Sequence, residues 1–209
     1  MDFSFTDNRF IEAALVILIL IPSIIVHEVS HGFVAERLGD PTARNAGRLT
    51  LNPLPHVDPF GSVLLPAMLA LANGPLFGWA KPVPVNPARF TNPTGHMAIT
   101  AVAGPISNLV IATLLGRFVL RSLSGIPEEI VAVFIILNLF LAVFNMLPIP
   151  PLDGSRLLPL VLPERGRELY RQFEQFGFII LFALLFFLEG SLDFMVDWVE
   201  WLLRNVALA

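Results

Sequence analysis

Cysteine is absent from the 209 residues, so the chain can form neither disulfide bonds nor thiolate metal ligands. Charged residues are scarce at 14%, whereas 55% are hydrophobic, and the mean hydropathy of +0.73 exceeds that of soluble domains. No basic cluster favours nucleic acid. The N-terminus lacks the basic region and small-residue cleavage site of a signal peptide, which predicts a retained first span. These absences predict one membrane domain, residues 1–209, built from spans of about 20 residues.

The first apolar segment, Ile11–Leu38, contains the pentapeptide HEVSH. Histidines four residues apart lie one turn apart on the same helical face, so His27 and His31 can bind one metal ion. Glu28 points about 100° away from His27, which suits a general base acting on a water at the metal. The alternative is a buried, hydrogen-bonded pair of helix histidines. Because ionisable groups are costly within an apolar span, we favour the functional site.

The apolar pattern predicts an all-α polytopic membrane protein with about four full transmembrane helices. A proline-rich region at about 45–92 predicts a re-entrant unit with a short helix at Gly61–Asn73 and short β-strands, one of them at Ala43–Leu51. The full spans and a C-terminal interfacial amphipathic helix are predicted, in that order, at Ile11–Leu38, Gly95–Leu120, Glu129–Leu147, Phe173–Leu188 and Ser191–Val206.

The basic residues predict the orientation in the membrane. Placing the N-terminus outside puts residues 32–94 and 148–172 in the cytoplasm. Those two segments hold nine of the thirteen basic residues, as the positive-inside rule favours. We therefore expect a multi-pass protein of the plasma membrane with its active site toward the cytoplasmic side.

A third metal ligand is required, because a catalytic zinc site has three protein ligands and an open position. Asp153 follows a span at the depth predicted for His31, and the surrounding prolines and glycines bend the chain there. His56, in a loop close to the motif, is the alternative ligand. His96, at the start of a span, favours an interfacial or structural role. With no thiolate present, nitrogen and oxygen ligands indicate one Zn²⁺ per chain.

Two asparagines lie in apolar spans. Asn145, eight residues before Asp153, could orient a scissile carbonyl or stabilise the developing oxyanion. The alternative role of Asn145 is a hydrogen bond between helices. We interpret Asn108, beside the Gly104-Pro105 pair, as a residue of helix packing and backbone satisfaction.

Three motifs resemble those of the site-2 protease family of intramembrane zinc metalloproteases. HEVSH at 27–31 resembles the family's HExxH, AGPISN at 103–108 its G-P-x-x-N element, and NMLPIPPLDG at 145–154 its N-x-x-P-x-x-x-L-D-G element. The intervening sequence is similar to the short bacterial and archaeal branch, which has neither PDZ nor CBS domains.

The resemblance implies a division of roles among the site residues. It implies that zinc is held by His27, His31 and Asp153, that Glu28 is the base, and that Asn145 aids binding of substrate or transition state. It further implies hydrolysis of a peptide bond within or near a transmembrane segment of a membrane-protein substrate, commonly a membrane-tethered regulator in regulated intramembrane proteolysis.

The proline-rich segment at 81–86 predicts where the substrate docks. Its alternating prolines exclude a central strand but can leave one edge exposed, and Val83, Val85 and Asn86 retain backbone N–H donors. An unwound substrate could pair with that edge. The alternative is a structural loop that plugs the cavity. At the level of function, the competing hypothesis is a divalent-cation carrier, which would need no glutamate beside its ligands.

Overall fold

The computed structural model of the chain describes residues 9–71, 78–187, 190 and 193–209. Its architecture is helical. The helices are α1 (Arg9–Arg37), α2 (Thr42–Asn45), α3 (Leu65–Leu71), α4 (Pro93–Leu114), α5 (Ile126–Asn145), α6 (Leu158–Val161), α7 (Glu164–Glu174), α8 (Gly177–Phe187) and α9 (Asp193–Leu202).

Three helical segments are long and apolar enough to cross a membrane. They are Ala14–Arg37, Pro93–Ser122 and Ile126–Asn145, with mean hydropathies of 2.0, 1.8 and 2.2. Between 22% and 39% of the residues in their most apolar windows are buried inside the protein. The rest present apolar side chains outward, such as Leu18 and Phe118 at 64% and 72% exposed. Water would make such faces costly, so the chain is a multi-pass membrane protein.

Helix α1 ends at Arg37, two residues before a glycine. Gly39 has φ of +106°, a left-handed conformation that glycine adopts without steric cost. The N–H of Asp40 then donates to the carbonyl of Ala35 at 2.9 Å, which satisfies one of the last helical acceptors. The site histidines therefore lie in the last three turns of α1.

Helix α4 packs against both α1 and α5, and α9 packs against α5. The tightly buried apolar cluster between α4, α5 and the C-terminal segment comprises Ala112, Ile135, Leu139, Val199, Leu203 and Ala207. Because α4 runs between two helices of the opposite direction, its N-terminal half lies beside the C-terminal ends of α1 and α5. The motifs of all three helices consequently meet at one end of the protein.

The turn after α5 is held close to that helix. Leu147 and Leu152 pack with Leu181 of α8 and Met195 of α9 in a second buried cluster. A Cβ added at Gly154 would lie 2.1 Å from the carbonyl oxygen of Met146, so no other residue type fits this return of the chain. This close packing places the neighbouring Asp153 against α1.

Two predictions about secondary structure require correction. Residues 9–71, 78–187 and 193–209 contain no β-strand, and the strand predicted at Ala43–Leu51 is wrong. Ala43 lies in α2, and the N–H of Arg48 donates back to its carbonyl at 2.9 Å, which closes a turn where a strand would need an extended chain. The short helix predicted at Gly61–Asn73 is present as a π-helical turn, Pro59–Leu64, and α3; its last two residues lie outside the described part of the chain.

The predicted span at Phe173–Leu188 is divided. Phe173 belongs to α7, and the apolar helix that follows is α8, which begins at Gly177. A Cβ at Gly177 would lie 2.7 Å from backbone atoms of Pro150. This close approach joins the start of α8 to the loop that precedes Asp153.

Candidate metal centre and active site

Two histidines and one aspartate converge where α1 meets the turn after α5. His27 Nε2 lies 3.0 Å and His31 Nε2 3.3 Å from the same oxygen, Oδ2 of Asp153. The three possible ligand atoms lie within 4.8 Å of one another, a grouping suited to one metal ion. The folded chain thus brings together three residues that the sequence predicted as ligands.

Hydrogen bonds determine the tautomers of both imidazoles. His31 Nδ1 lies 2.8 Å from the backbone carbonyl of Thr100, an atom that can only accept, so Nδ1 carries the proton. His27 Nδ1 likewise donates to Oδ1 of Asn108 at 2.6 Å. In the neutral rings both Nε2 lone pairs therefore face Asp153.

This donor set fits a metal ion on chemical grounds. Both imidazoles are buried, with 6% and 8% of their residues' surface exposed. Two nitrogen lone pairs directed at a carboxylate oxygen repel one another unless a cation lies between them. Outward hydrogen bonds from the second ring nitrogen are the usual arrangement around metal-bound histidines. Two imidazoles and one carboxylate form a ligand set typical of catalytic zinc.

Glu28 lies in the same cavity but does not join the three ligand atoms. The cavity has a volume of about 480 Å³, and its lining includes Glu28, both histidines and Asp153. Glu28 Oε2 accepts a hydrogen bond of 2.7 Å from the backbone N–H of Val83. A carboxylate held beside, but not within, a metal-ligand group is placed to act on a water molecule.

With this geometry established, comparison with known proteins assigns the family. The sequence profile of Peptidase family M50 matches residues 121–188, which include Asp153. A Bacillus subtilis protein, YwhC, is 40% identical over 186 residues, covering 84% of this chain and 81% of its own. The chain belongs to peptidase family M50. This membership confirms the predicted resemblance and the prediction of an intramembrane metalloprotease.

Two further relatives of this M50 peptidase extend the comparison. Rip2 of Mycolicibacterium smegmatis is 35% identical over 175 residues, covering 82% of the chain and 66% of the relative. MJ0611 of Methanocaldococcus jannaschii is 39% identical over 82 residues, covering 35% and 43%. All three relatives are named "Putative zinc metalloprotease". No solved structure matches the chain.

The other two histidines considered as ligands lie elsewhere. His56 is buried, its Nε2 donates to the carbonyl of Thr50 at 3.0 Å, and it does not belong to the metal-ligand group. His96 packs edge-on against the ring of Phe90, with ring centroids 5.6 Å apart. The geometry of the M50 site therefore favours Asp153 over His56 as the third ligand.

Asn145 lines the same cavity as the three candidate metal ligands. Its Nδ2 donates to the carbonyl of Leu141 at 3.0 Å, one turn earlier in α5. An amide nitrogen carries two hydrogens, so this bond leaves one donor for another acceptor. Asn145 is thus held at the cavity wall with one amide hydrogen available to a second acceptor.

The extended run at 81–86 lies across the site, and two of the three predicted docking donors are already used. The N–H of Val83 binds Glu28, as described above, and the N–H of Asn86 donates to Oδ2 of Asp40 at 2.6 Å. Asn86 does not line the cavity, whereas Val83 and Val85 do. Among the residues that the structure describes, no partner binds the N–H of Val85.

Asp40 anchors the far end of this run to the end of α1. Its carboxylate is completely buried and also accepts a 3.1 Å hydrogen bond from the N–H of Thr42. Burial would raise the pKa of Asp40, but these hydrogen bonds from Thr42 and Asn86 hold it below its ordinary value. The ionised carboxylate therefore ties the run to the helix that carries the histidines.

Gly104 explains how α4 approaches the two histidines. A Cβ at this position would lie 2.5 Å from His31 Nε2 and 2.6 Å from His27 Nε2. Contacts this short do not occur for real Cβ atoms. The glycine therefore lets the backbone of α4 lie directly against both imidazoles and forms one wall of the metal-ligand group.

We expect the Gly104→Ala variant to lose zinc and activity together. The added methyl group must displace at least one imidazole, and a displacement of about 1 Å is enough to disrupt a catalytic arrangement. Zinc content and peptide cleavage of the purified variant measure this effect. Ala103→Gly, which removes a methyl group at the neighbouring position, serves as the control. Full zinc occupancy in Gly104→Ala would contradict the tight contact.

Sequence reasoning only partly recognised the role of Asn108. Its Nδ2 satisfies the carbonyl of Ser23 at 3.3 Å, in agreement with the packing interpretation, but its Oδ1 binds His27. Asn138, another buried amide in an apolar helix, was not singled out, and it binds Asn108 at 2.8 Å. The available signal was an amide within a span, where polar groups are costly without a partner.

Proposed function

We propose that this M50 peptidase is a zinc-dependent endopeptidase of the HExxH type that cleaves a membrane protein within or near a transmembrane segment. The observation that carries the proposal is the convergence of His27, His31 and Asp153 at the end of an apolar helix, with Glu28 alongside. The zinc metalloprotease names of the relatives support the choice of metal.

In the proposed reaction, His27, His31 and Asp153 hold one Zn²⁺. Bound zinc would polarise the scissile carbonyl and lower the pKa of a water molecule beside it, so that hydroxide becomes available at neutral pH. Glu28 accepts a proton from the attacking water and delivers it to the leaving amine nitrogen as the C–N bond breaks. The N–H of Val83 binds Oε2 of Glu28, so Oε1, which lacks this hydrogen bond, is the oxygen proposed to take the proton. The remaining amide hydrogen of Asn145 would stabilise negative charge on the carbonyl oxygen.

The proposed substrate enters as a locally unwound segment. A transmembrane helix satisfies its own backbone hydrogen bonds, so opening it near the zinc exposes unpaired carbonyls. Val85 is the proposed docking residue, because the N–H groups of the other two predicted donors, Val83 and Asn86, bind carboxylates. Val85 lines the cavity and offers a donor to an extended substrate.

We expect Val85→Pro to weaken substrate cleavage while zinc content and thermal stability stay near wild type. The substitution removes one backbone donor and keeps an apolar side chain of similar bulk. Val85→Ala is the matched control, because it retains the N–H and shortens the side chain. Unchanged cleavage by Val85→Pro would exclude docking at this edge, and equal loss of stability and activity would favour a structural plug.

The membrane arrangement proposed is four spans, with α8 contributing to the fourth, and a re-entrant unit at about 45–92. The active site faces the cytoplasm and the N-terminus lies outside. The basic residues support this orientation, because segments 32–94 and 148–172 contain nine of the thirteen. Arg117 and Arg121 instead bind backbone carbonyls of the C-terminal segment, beyond the other end of α4.

The physiological role proposed is regulated intramembrane proteolysis of a membrane-tethered regulator. The test is reconstitution of the purified chain in liposomes with a single-span reporter protein. We expect cleavage within or near the span that stops when a chelator removes zinc and resumes when zinc is restored. Zinc movement across the liposome membrane without cleavage would overturn the peptidase proposal and favour a cation carrier.

A further inference from the structure

A chain of hydrogen-bonded side chains lies behind His27, on the side away from the metal-ligand group. Ser23, Asn108 and Asn138 form it, one from each of α1, α4 and α5. All three are completely buried, with 0% exposure. Polar groups so deep in apolar helices are costly unless every one is paired. Their hydrogen bonds supply these partners, and backbone carbonyls fix which side-chain atom donates.

The orientation of Asn138 follows from a backbone carbonyl. Its Nδ2 lies 2.8 Å from the carbonyl oxygen of Phe134 and 2.8 Å from Oγ of Ser23. A carbonyl oxygen can only accept, so the atom facing it must be the amide nitrogen. Oδ1 of Asn138 is consequently the atom that faces Asn108, at 2.8 Å from its Nδ2.

The orientation of Asn108 follows in turn. Its Nδ2 donates to Oδ1 of Asn138 and to the backbone carbonyl of Ser23, at 3.3 Å. With both amide hydrogens directed there, Oδ1 faces His27 and accepts from its Nδ1 at 2.6 Å. The proton of His27 is thereby placed on Nδ1, and the lone pair of Nε2 is directed toward Asp153.

The Nδ1 proton of His31 has a different kind of partner. Its Nδ1 donates to the backbone carbonyl of Thr100 and needs no side chain for orientation. His27 instead depends on two amides that a mutation can remove. The two histidines of one motif therefore differ in how their ligand nitrogens are presented.

We propose that Asn108 and Asn138 are positioning residues that keep a proton on Nδ1 of His27 and direct its Nε2 toward the metal-ligand group, with Asn138 acting only through Asn108. The inference rests on the proposed function in that His27 is a zinc ligand. Loss of an outer hydrogen-bond partner typically weakens metal binding by about 10- to 100-fold. A purely structural role would instead affect the stability of the helices.

The direct test is the imidazole ¹⁵N spectrum of zinc-free protein labelled at histidine. In wild type we expect a proton on Nδ1 of both motif histidines. In Asn108→Leu the His27 signal should move toward Nε2–H, because Nε2–H can then donate to Asp153, while the His31 signal stays unchanged. Asn108→Asp retains an acceptor for His27 and should restore the wild-type tautomer. An unchanged His27 signal in Asn108→Leu would overturn the proposal.

Zinc affinity, measured by competition with a chelator, supplies the second readout. We expect Asn108→Leu to bind zinc about 10- to 100-fold more weakly and Asn138→Leu to be weaker by a smaller factor. The double variant should equal Asn108→Leu, because Asn138 has no separate route to His27. Fully additive losses would contradict that dependence.

Thr113→Val is the matched control for loss of a hydrogen bond within a span. Thr113 Oγ1 donates to the carbonyl of Leu109 at 2.8 Å in α4, away from the metal-ligand group. Its variant should leave both zinc affinity and the histidine spectrum unchanged. If wild type shows the predicted spectrum and binds zinc but cleaves no substrate, the peptidase proposal fails and the positioning role stands. Weakened zinc binding in Thr113→Val equal to that in Asn108→Leu would overturn the positioning role.

Discussion

Glu28→Gln is expected to slow peptide cleavage strongly while leaving zinc bound. Glutamine keeps the length of the side chain and an oxygen acceptor for the N–H of Val83, 2.7 Å away in the wild type. It cannot take a proton from water at neutral pH, so the rate should fall by about 10²- to 10⁴-fold. Cleavage of a reconstituted transmembrane reporter and zinc content of the same preparation measure both consequences.

Glu36→Gln provides the matched control for Glu28→Gln. Glu36 lies two turns later in α1, pairs with Arg44 and does not line the cavity. Its replacement should leave cleavage and zinc content near wild type. Cleavage retained by Glu28→Gln would remove this residue from the reaction. Loss of zinc from Glu28→Gln would mean that Glu28 supports the metal site itself, and its effect on rate would then have a different cause.

Asp153→Ala is expected to reduce zinc from about one ion per chain to a small fraction, whereas His56→Ala should retain it. Removing the carboxylate leaves two imidazoles, fewer ligands than a catalytic zinc site uses. His56 donates to the carbonyl of Thr50 and lies outside the ligand group, so its loss affects the loop and not the metal. Metal analysis of the two purified variants after dialysis distinguishes them.

The comparison also excludes a general effect of unfolding. His56→Ala removes a buried side chain, so it should lower the melting temperature at least as much as Asp153→Ala. His56→Ala should therefore hold more zinc than Asp153→Ala but be no more stable. A His56→Ala protein without zinc beside an Asp153→Ala protein with zinc would show that the third ligand is His56.

Several properties follow from local sequence alone. The absence of cysteine limits any metal site to nitrogen and oxygen ligands, and the long apolar runs require helices within a membrane. The end of α1 was predictable at Arg37, because Gly39 supplies the left-handed residue that terminates a helix. Helical geometry also places His27 and His31 on one face. Each of these inferences uses residues within a few turns of one another.

Local sequence patterns did not predict contacts with partners that lie in distant parts of the chain. Ala43–Leu51 has the composition of a strand, but its chain closes a turn against α1, in contact with Gly32. The proline-rich run at 81–86 is extended, yet its N–H groups at Val83 and Asn86 bind carboxylates of distant residues. Spacing along the sequence cannot report such contacts, because the partners of these backbone groups lie elsewhere in the chain.

The sequence by itself determined the class of protein, its long apolar helices and the shared face of His27 and His31, because hydropathy and helical period are local properties. Only the tertiary structure shows that Asp153, and not His56, lies beside His27, since this contact joins residues 126 positions apart. It also decided the tautomer of His27 through Asn108, 81 positions away. These features depend on the close packing of α1, α4 and the turn after α5, where Gly104 and Gly154 allow backbones to approach within contact distance.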